Sequence, residues 1–195
     1  MKIIEKPLKV NQYSRSGRPL GAVKGIILHW TGAPMQRAVN TWGWFETGCP
    51  RDKHYSSAHY IIDLDGTIYH AVPDNEVAYH CGSSQPDPKS GKIYTDWARE
   101  KFGIYADRPD SNSPNNCTIG IELCVIDNEG NFTQETLEAA RKLVAKLLKE
   151  NRLTVDDVGT HLKVVGWKDC PRLWFNRPEL FEEFKKDVET IGGVV

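Results

Sequence analysis

Three side chains that could bind one metal ion are the most chemically suggestive feature of this sequence. His29 ends an apolar run, and His161 and Cys170 lie close together near the C-terminus. Two imidazoles and one thiolate supply three protein ligands for a zinc ion and leave the fourth position for water. Because structural zinc sites normally have four protein ligands, a set of three favours catalysis. Lys168 could place a cation beside an oxygen that gains negative charge.

A glutamate inside an apolar segment is a second candidate. Residues 118–125 alternate as in a β-strand, and the apolar residues on one face are Ile119, Ile121, Leu123 and Val125. Glu122 therefore points to the opposite face, where its neighbours are small. A carboxylate buried there is costly unless something compensates its charge, and a metal site would do so.

Each candidate also has an ordinary structural interpretation. A single histidine on a strand is more often a packed core residue than a ligand, Glu122 could be half of a buried ion pair, and Lys168 could be a solvated amine. A small structural zinc domain is a further alternative. It would need a fourth protein ligand, for which the nearby candidates are His59, His70 and Cys81.

Composition limits the classes of function. The chain has 195 residues, of which 39% are hydrophobic and 26% charged, and its net charge is −1. These values predict one globular domain and no nucleic-acid partner. Neither a leader peptide nor a run of eighteen apolar residues is recognisable, so we expect synthesis in the cytoplasm without a signal peptide and no membrane span. With five cysteines, we expect Cys49, Cys81, Cys117 and Cys124 to be reduced core or incidental residues.

The predicted elements alternate between strands and helices. The run 25–30 is typical of a buried strand, 36–47 is weakly helical, and Asp65-Gly66 predicts a hairpin between 58–63 and 67–72. Segment 82–114 is typical of a long surface insertion with a short helical pattern at 97–102. Amphipathic helices are predicted at 134–150 and at 177–191, the second with Asn176 as N-cap and Pro178 in its first turn. An α/β fold follows, with a central mixed sheet flanked by helices.

The sequence resembles the type 2 family of zinc-dependent N-acetylmuramoyl-L-alanine amidases, which includes phage and prophage endolysins, AmpD-like recycling amidases and the peptidoglycan recognition proteins. The resemblance covers about residues 22–175 of a single domain, 1–195. Five separated segments carry it in the family's order: Ile-Ile-Leu-His29-Trp-Thr, Ser57-Ala-His-Tyr-Ile-Ile-Asp63, Tyr79-His80-Cys-Gly82, Cys117-Thr-Ile-Gly-Ile-Glu122-Leu, and Thr160-His161 through Lys168-Asp-Cys170-Pro171.

The resemblance implies a role for each matching residue. It implies that His29, His161 and Cys170 bind Zn²⁺, and that Glu122 and Lys168 are catalytic. A further branch uses a tyrosine instead of the glutamate, but this chain has alanine at that position, residue 58. His80 is implied to contact the muramoyl or peptide part of the substrate, although it could equally be an ordinary loop residue. The loop after His161 is one residue longer than in many endolysins.

The resemblance also implies a substrate and a place of action. We expect a monomer that hydrolyses peptidoglycan or a muropeptide, as a phage or prophage type lytic enzyme that reaches the wall after release from the cell. One alternative is an AmpD-like recycling amidase that remains cytoplasmic. A second is a binding module without catalysis, but such modules typically lack the thiolate, which is present here as Cys170.

Overall fold

The computed structural model describes residues 1–103 and 113–193. Within these ranges one mixed sheet of six strands has the order β1-β4-β3-β5-β2-β6. The strands are β1 (Ile3–Glu5), β2 (Gly25–Trp30), β3 (Tyr60–Ile62), β4 (Ile68–His70), β5 (Thr118–Leu123) and β6 (Val158–Thr160). The prediction of an α/β fold with a central mixed sheet is therefore confirmed.

Helices cover the sheet. They are α1 (Ala38–Gly43), which continues into a π-helical turn at Trp44–Gly48, α2 (Cys49–Asp52), α3 (Asp96–Phe102), α4 (Gln134–Asn151), α5 (His161–Val165), α6 (Arg172–Asn176) and α7 (Pro178–Gly192). Short 3₁₀ turns occur at Pro114–Asn116 and Val155–Asp157. None of the described helices combines the length and apolar character that crossing a bilayer requires.

The parallel strands in the middle of the sheet are buried on both faces. Strand β2 pairs in parallel with β5 on one side and with β6 on the other. On one face, Ile26 and Leu28 belong to the large core cluster that includes residues of α4 and α7. On the opposite face, Ile27 packs with residues from α3 and α5. Burial on both faces explains the continuous apolar run of β2 in place of a polar–apolar alternation.

The predicted hairpin is confirmed, since β3 and β4 pair antiparallel around the turn that contains Gly66. The long amphipathic helix is also confirmed as α4. The side chain of Thr133 caps it by accepting a hydrogen bond from the backbone N–H of Thr136 at 3.0 Å. The weak helical pattern of 36–47 corresponds to α1 and the π-helical turn.

Two predictions about local structure need correction, and a third is confirmed. Asn176 is not the N-cap of the last helix, because α6 extends through Asn176 and Arg177 precedes Pro178, which occupies the first turn of α7. The segment after His161 is not simply a loop, since it begins with α5. The helical pattern predicted at 97–102 is confirmed as α3, whereas residues 104–112 of the predicted insertion lie outside the described residues.

Two short strands were not predicted. β1 and β6 have three residues each and pair in parallel with β4 and β2, respectively. A three-residue strand carries too little alternation to be recognised from sequence, and its pairing partner lies far away along the chain. β6 matters for the site because it leads directly into His161.

Candidate functional site: a His-His-Cys cluster at one edge of the sheet

The candidate site lies where three neighbouring parallel strands end. His29 is the penultimate residue of β2, Glu122 is the penultimate residue of β5, and His161 follows β6 directly. Because the carboxyl ends of parallel strands meet at the same edge of a sheet, these side chains come together there. His29 and Glu122 are direct register partners, so their side chains are on the same face.

Three buried side chains form the His-His-Cys cluster: His29, His161 and Cys170. One potential ligand atom from each residue lies within 4.8 Å of the other two. The Cys170 Sγ lies 3.7 Å from the His29 Nδ1, and the two imidazole rings meet edge to face with centroids 4.9 Å apart. Thr160 caps α5 by accepting from the backbone N–H of Lys163, which fixes the position of His161 at the helix start.

The protonation states of the cluster follow from burial. Burial lowers the pKa of His161 to about 3, with a further contribution from the charge of Lys168, so this imidazole is neutral at pH 7. Burial, together with the neighbouring His161 and His80, also lowers the pKa of His29. The pKa of the Cys170 thiol is raised to about 12, first by burial and then by Glu122. Metal binding would therefore displace a proton from sulfur.

The donor set and its spacing fit a zinc ion. Neutral imidazole and thiolate are typical zinc ligands, and a tetrahedral ion with ordinary Zn–N and Zn–S bonds separates the two atoms by about 3.6 Å. The 3.7 Å distance between Cys170 Sγ and His29 Nδ1 agrees with that value. Among the described residues, this is the one group of three or more His, Cys, Asp or Glu side chains with such spacing. His59, His70 and Cys81 are not part of it.

Glu122 lies beside the cluster with one oxygen unsatisfied. Its Oε2 is buried and has no hydrogen-bond partner among the described residues. Burial raises the pKa of this carboxyl to about 8, and the charge of Lys168 opposes the shift. A carboxylate with a pKa near neutrality suits proton transfer. Lys168 itself is exposed and lines the adjoining groove.

The groove is a cleft of about 800 Å³ that opens over His161 and Lys168. Its lining also includes Tyr55, Tyr79 and Trp167. His80 reaches the groove but is only 9% exposed, and both of its ring nitrogens lie near other protein atoms. Arg18 also lines the groove, from the N-terminal segment, and was not predicted because it lies outside the five segments that carry the resemblance.

Similarity to known proteins identifies the family. Residues 19–173 match the family described as N-acetylmuramoyl-L-alanine amidase. The chain belongs to this amidase family. The resemblance inferred from the five segments is thereby confirmed.

Relatives of the amidase family cover nearly all of the chain. A probable N-acetylmuramoyl-L-alanine amidase of Bacillus licheniformis is 35% identical over 193 residues, which are 99% of this chain and 49% of the relative. The N-acetylmuramoyl-L-alanine amidase CwlL of the same organism is 33% identical over 99% of this chain and 48% of its own length. The chain thus spans about half the length of these relatives.

Solved structures share the fold of this chain. The structure of PlyL matches this chain with a TM-score of 0.71 at 20% sequence identity, and the match covers 100% of both chains. The catalytic domain of XlyA has a TM-score of 0.67 at 23% identity and covers 96% of this chain and 99% of its own. The five cysteines all lie within the described residues as free thiols, and Cys117 is half-buried while the other four are buried.

Proposed function

We propose that this protein hydrolyses the amide bond between N-acetylmuramic acid and L-alanine of peptidoglycan, with Zn²⁺ held by His29, His161 and Cys170. The convergence of these three buried donors beside the Glu122 carboxyl is the observation that carries the proposal. Membership of the amidase family supports the same reaction. We take residues 1–195 as one amidase domain that acts as a monomer.

The chain's own residues would move the protons and bind the charge. A zinc ion in this set supplies a Lewis acid that polarises a carbonyl group and makes water more acidic. Glu122 accepts the proton of the attacking water and later delivers a proton to the nitrogen of the leaving L-alanine. Lys168 stabilises the negative charge that develops on the carbonyl oxygen.

The charge of the groove supports an acidic substrate. Arg18 and Lys168 line it, and its described lining includes no aspartate or glutamate. Stem peptides of the wall carry free carboxylates, which such cations attract. The aromatic side chains of the groove offer apolar surface to the sugar. His80 remains the predicted contact for the muramoyl or peptide part, through the exposed edge of its ring.

We infer a lytic role of the phage or prophage type, in which the enzyme acts on the wall after its release from the cytoplasm. Support comes from the structural neighbours, one of which is described as a mutant endolysin from Bacillus subtilis. The alternative remains an AmpD-like enzyme that recycles soluble muropeptides in the cytoplasm. A binding module without catalysis is disfavoured because the thiol of Cys170 is present and lies within the cluster.

The decisive experiment is product analysis on purified wall. We expect new free amino groups on L-alanine without new reducing ends of the glycan. Faster cleavage of intact sacculi than of soluble anhydromuropeptides would support the lytic role, and the reverse preference would support recycling.

Metal dependence of the same reaction is tested with a matched pair of cysteine variants. Cys170→Ser should lose zinc and activity, whereas Cys117→Ser, which changes a half-buried thiol outside the cluster, should retain both. Release of reducing ends without alanine amino groups, or full zinc occupancy in Cys170→Ser, would contradict the proposal.

A further inference from the structure

Both ring nitrogens of His29 contact other side chains. Its Nδ1 faces the Cys170 Sγ at 3.7 Å, and its Nε2 lies 3.0 Å from the Nδ1 of His80. The two histidine rings meet edge to face with centroids 5.2 Å apart. His29 is 2% exposed and His80 is 9% exposed, so solvent competes little for this contact.

A chain of hydrogen bonds gives this contact a direction. The backbone oxygen of Pro114 can only accept, and the hydroxyl of Thr118 donates to it at 2.7 Å. That hydroxyl then accepts from the Nε2 of His80 at 3.1 Å, and the backbone oxygen of Thr118, again only an acceptor, lies 3.3 Å from the same nitrogen. His80 therefore carries its proton on Nε2, and its Nδ1 is left as an acceptor for His29.

The direction of this hydrogen bond determines the tautomer of His29, one of the proposed metal ligands. When His80 Nδ1 accepts, His29 must carry its proton on Nε2, and the lone pair of its Nδ1 then points toward Cys170. A histidine binds metal only through a nitrogen without a proton, and the hydrogen bond of the other nitrogen fixes which one that is. The series of hydrogen bonds from Pro114 to His29 thus selects the tautomer that a metal in the His-His-Cys cluster requires.

His80 is itself held rigidly by two further contacts. The Asn115 Oδ1 accepts hydrogen bonds from three successive backbone N–H groups, those of His80, Cys81 and Gly82, at 3.1, 2.9 and 3.1 Å. The ring of His80 lies directly on Gly120 of β5, where an added Cβ would come within 2.4 Å of the His80 Cγ. The absence of a side chain at Gly120 is therefore required for the ring to reach His29.

We propose that His80 is a positioning residue that holds His29 in its Nε2-protonated tautomer and aims Nδ1 at the metal. The inference rests on the proposed zinc site. It assigns His80 a role that acts through the ligand, independent of any direct contact with substrate. Partners of this kind typically raise metal affinity by about 10–100-fold.

The test compares zinc affinity by chelator competition in the wild type and three variants. His80→Phe keeps a ring over Gly120 but removes the acceptor, and we expect zinc affinity to fall by about 10–100-fold. His80→Asn places an amide oxygen close to the former Nδ1 and should recover most of that loss. His54→Phe, a matched change of an exposed histidine in the same groove, should leave zinc affinity at the wild-type value.

A second readout reports the tautomer directly and needs no variant. Two-bond ¹H–¹⁵N correlations of the metal-free wild type near pH 7 should show His29 protonated at Nε2, and His80→Phe should show a mixture of tautomers. A wild type with the proton on Nδ1 of His29, or an unchanged zinc affinity in His80→Phe, would overturn the inference. If the wild type bound no zinc at all, the proposed function would fail instead.

Discussion

At the scale of single residues, burial sets the chemistry of the site. It keeps both cluster imidazoles neutral and the Cys170 thiol protonated until a cation arrives, and it raises the pKa of Glu122 to about 8. The two neutral imidazoles are thereby suited to donate electron pairs to a metal, and the carboxyl of Glu122 is suited to exchange a proton near neutral pH. Lys168 is exposed, yet its charge acts on all four groups.

Glu122 allows metal binding and proton transfer to be separated. Glu122→Ala should reduce turnover by about 10²–10⁴-fold, since it removes the proposed general base, while zinc content stays at the wild-type value. Glu122→Gln keeps the size of the side chain and should be equally inactive. Amide hydrolysis and zinc content are measured on the same samples. Loss of zinc from both variants would show instead that Glu122 is a ligand or supports one.

At the scale of elements, the parallel arrangement of β2, β5 and β6 brings His29, Glu122 and His161 together where these strands end.

Elsewhere in the sheet, an ion-pair cluster links the outermost strand β1 to β4. The His70 Nδ1 of β4 lies 2.7 Å from the Oε2 of Glu5 in β1, and its Nε2 lies 3.3 Å from Asp74. The ring also stacks on Tyr60 of β3 with centroids 4.4 Å apart.

This cluster predicts a pH-dependent contribution to stability. Burial lowers the pKa of His70, but the close contact with the charge of Asp74 and the hydrogen bond with Glu5 outweigh it, so the net pKa is raised above 6.5. The stabilisation is then fully present below pH 6.5, where the unfolded chain also binds the proton, and is lost as pH rises through the folded pKa.

His70→Phe tests this contribution because it keeps a ring over Tyr60 and removes the charge. Urea unfolding at pH 6 and pH 9 should give a larger difference in free energy of unfolding between wild type and variant at pH 6. Equal differences at the two pH values would refute the proposed ionic contribution of His70.

At the scale of the whole molecule, the site links distant parts of the chain. His29 and Cys170 are separated by 141 positions but lie in contact across the sheet edge. A metal bound to the His-His-Cys cluster would join β2, the start of α5 and the segment that precedes α6. Because those ligands converge only in the folded chain, binding free energy adds to the stability of the fold.

Zinc removal should therefore lower thermal stability as well as activity. Free zinc at 1,000 times its Kd stabilises the native state by about 4 kcal/mol, which corresponds to a rise in Tm of about 8–16 °C for a chain of this size. Calorimetry with EDTA and after zinc is restored measures the shift. Cys170→Ser should show little response to either treatment. A wild-type Tm that is indifferent to EDTA would argue against a metal in this cluster.

The sequence alone determined the parts of this protein whose signals are local. Alternation placed Glu122 on the face opposite Ile121, helical spacing located α4, and residue types suggested the candidate metal ligands. Only the tertiary structure decided that His29 meets both Cys170 and His80, that β6 delivers His161 to them, and that Asn176 ends one helix instead of capping the next. The physical reason is the distance along the chain over which each interaction acts. Periodicity reports which face of an element is buried, whereas the pairing of faces depends on packing between residues far apart in the chain.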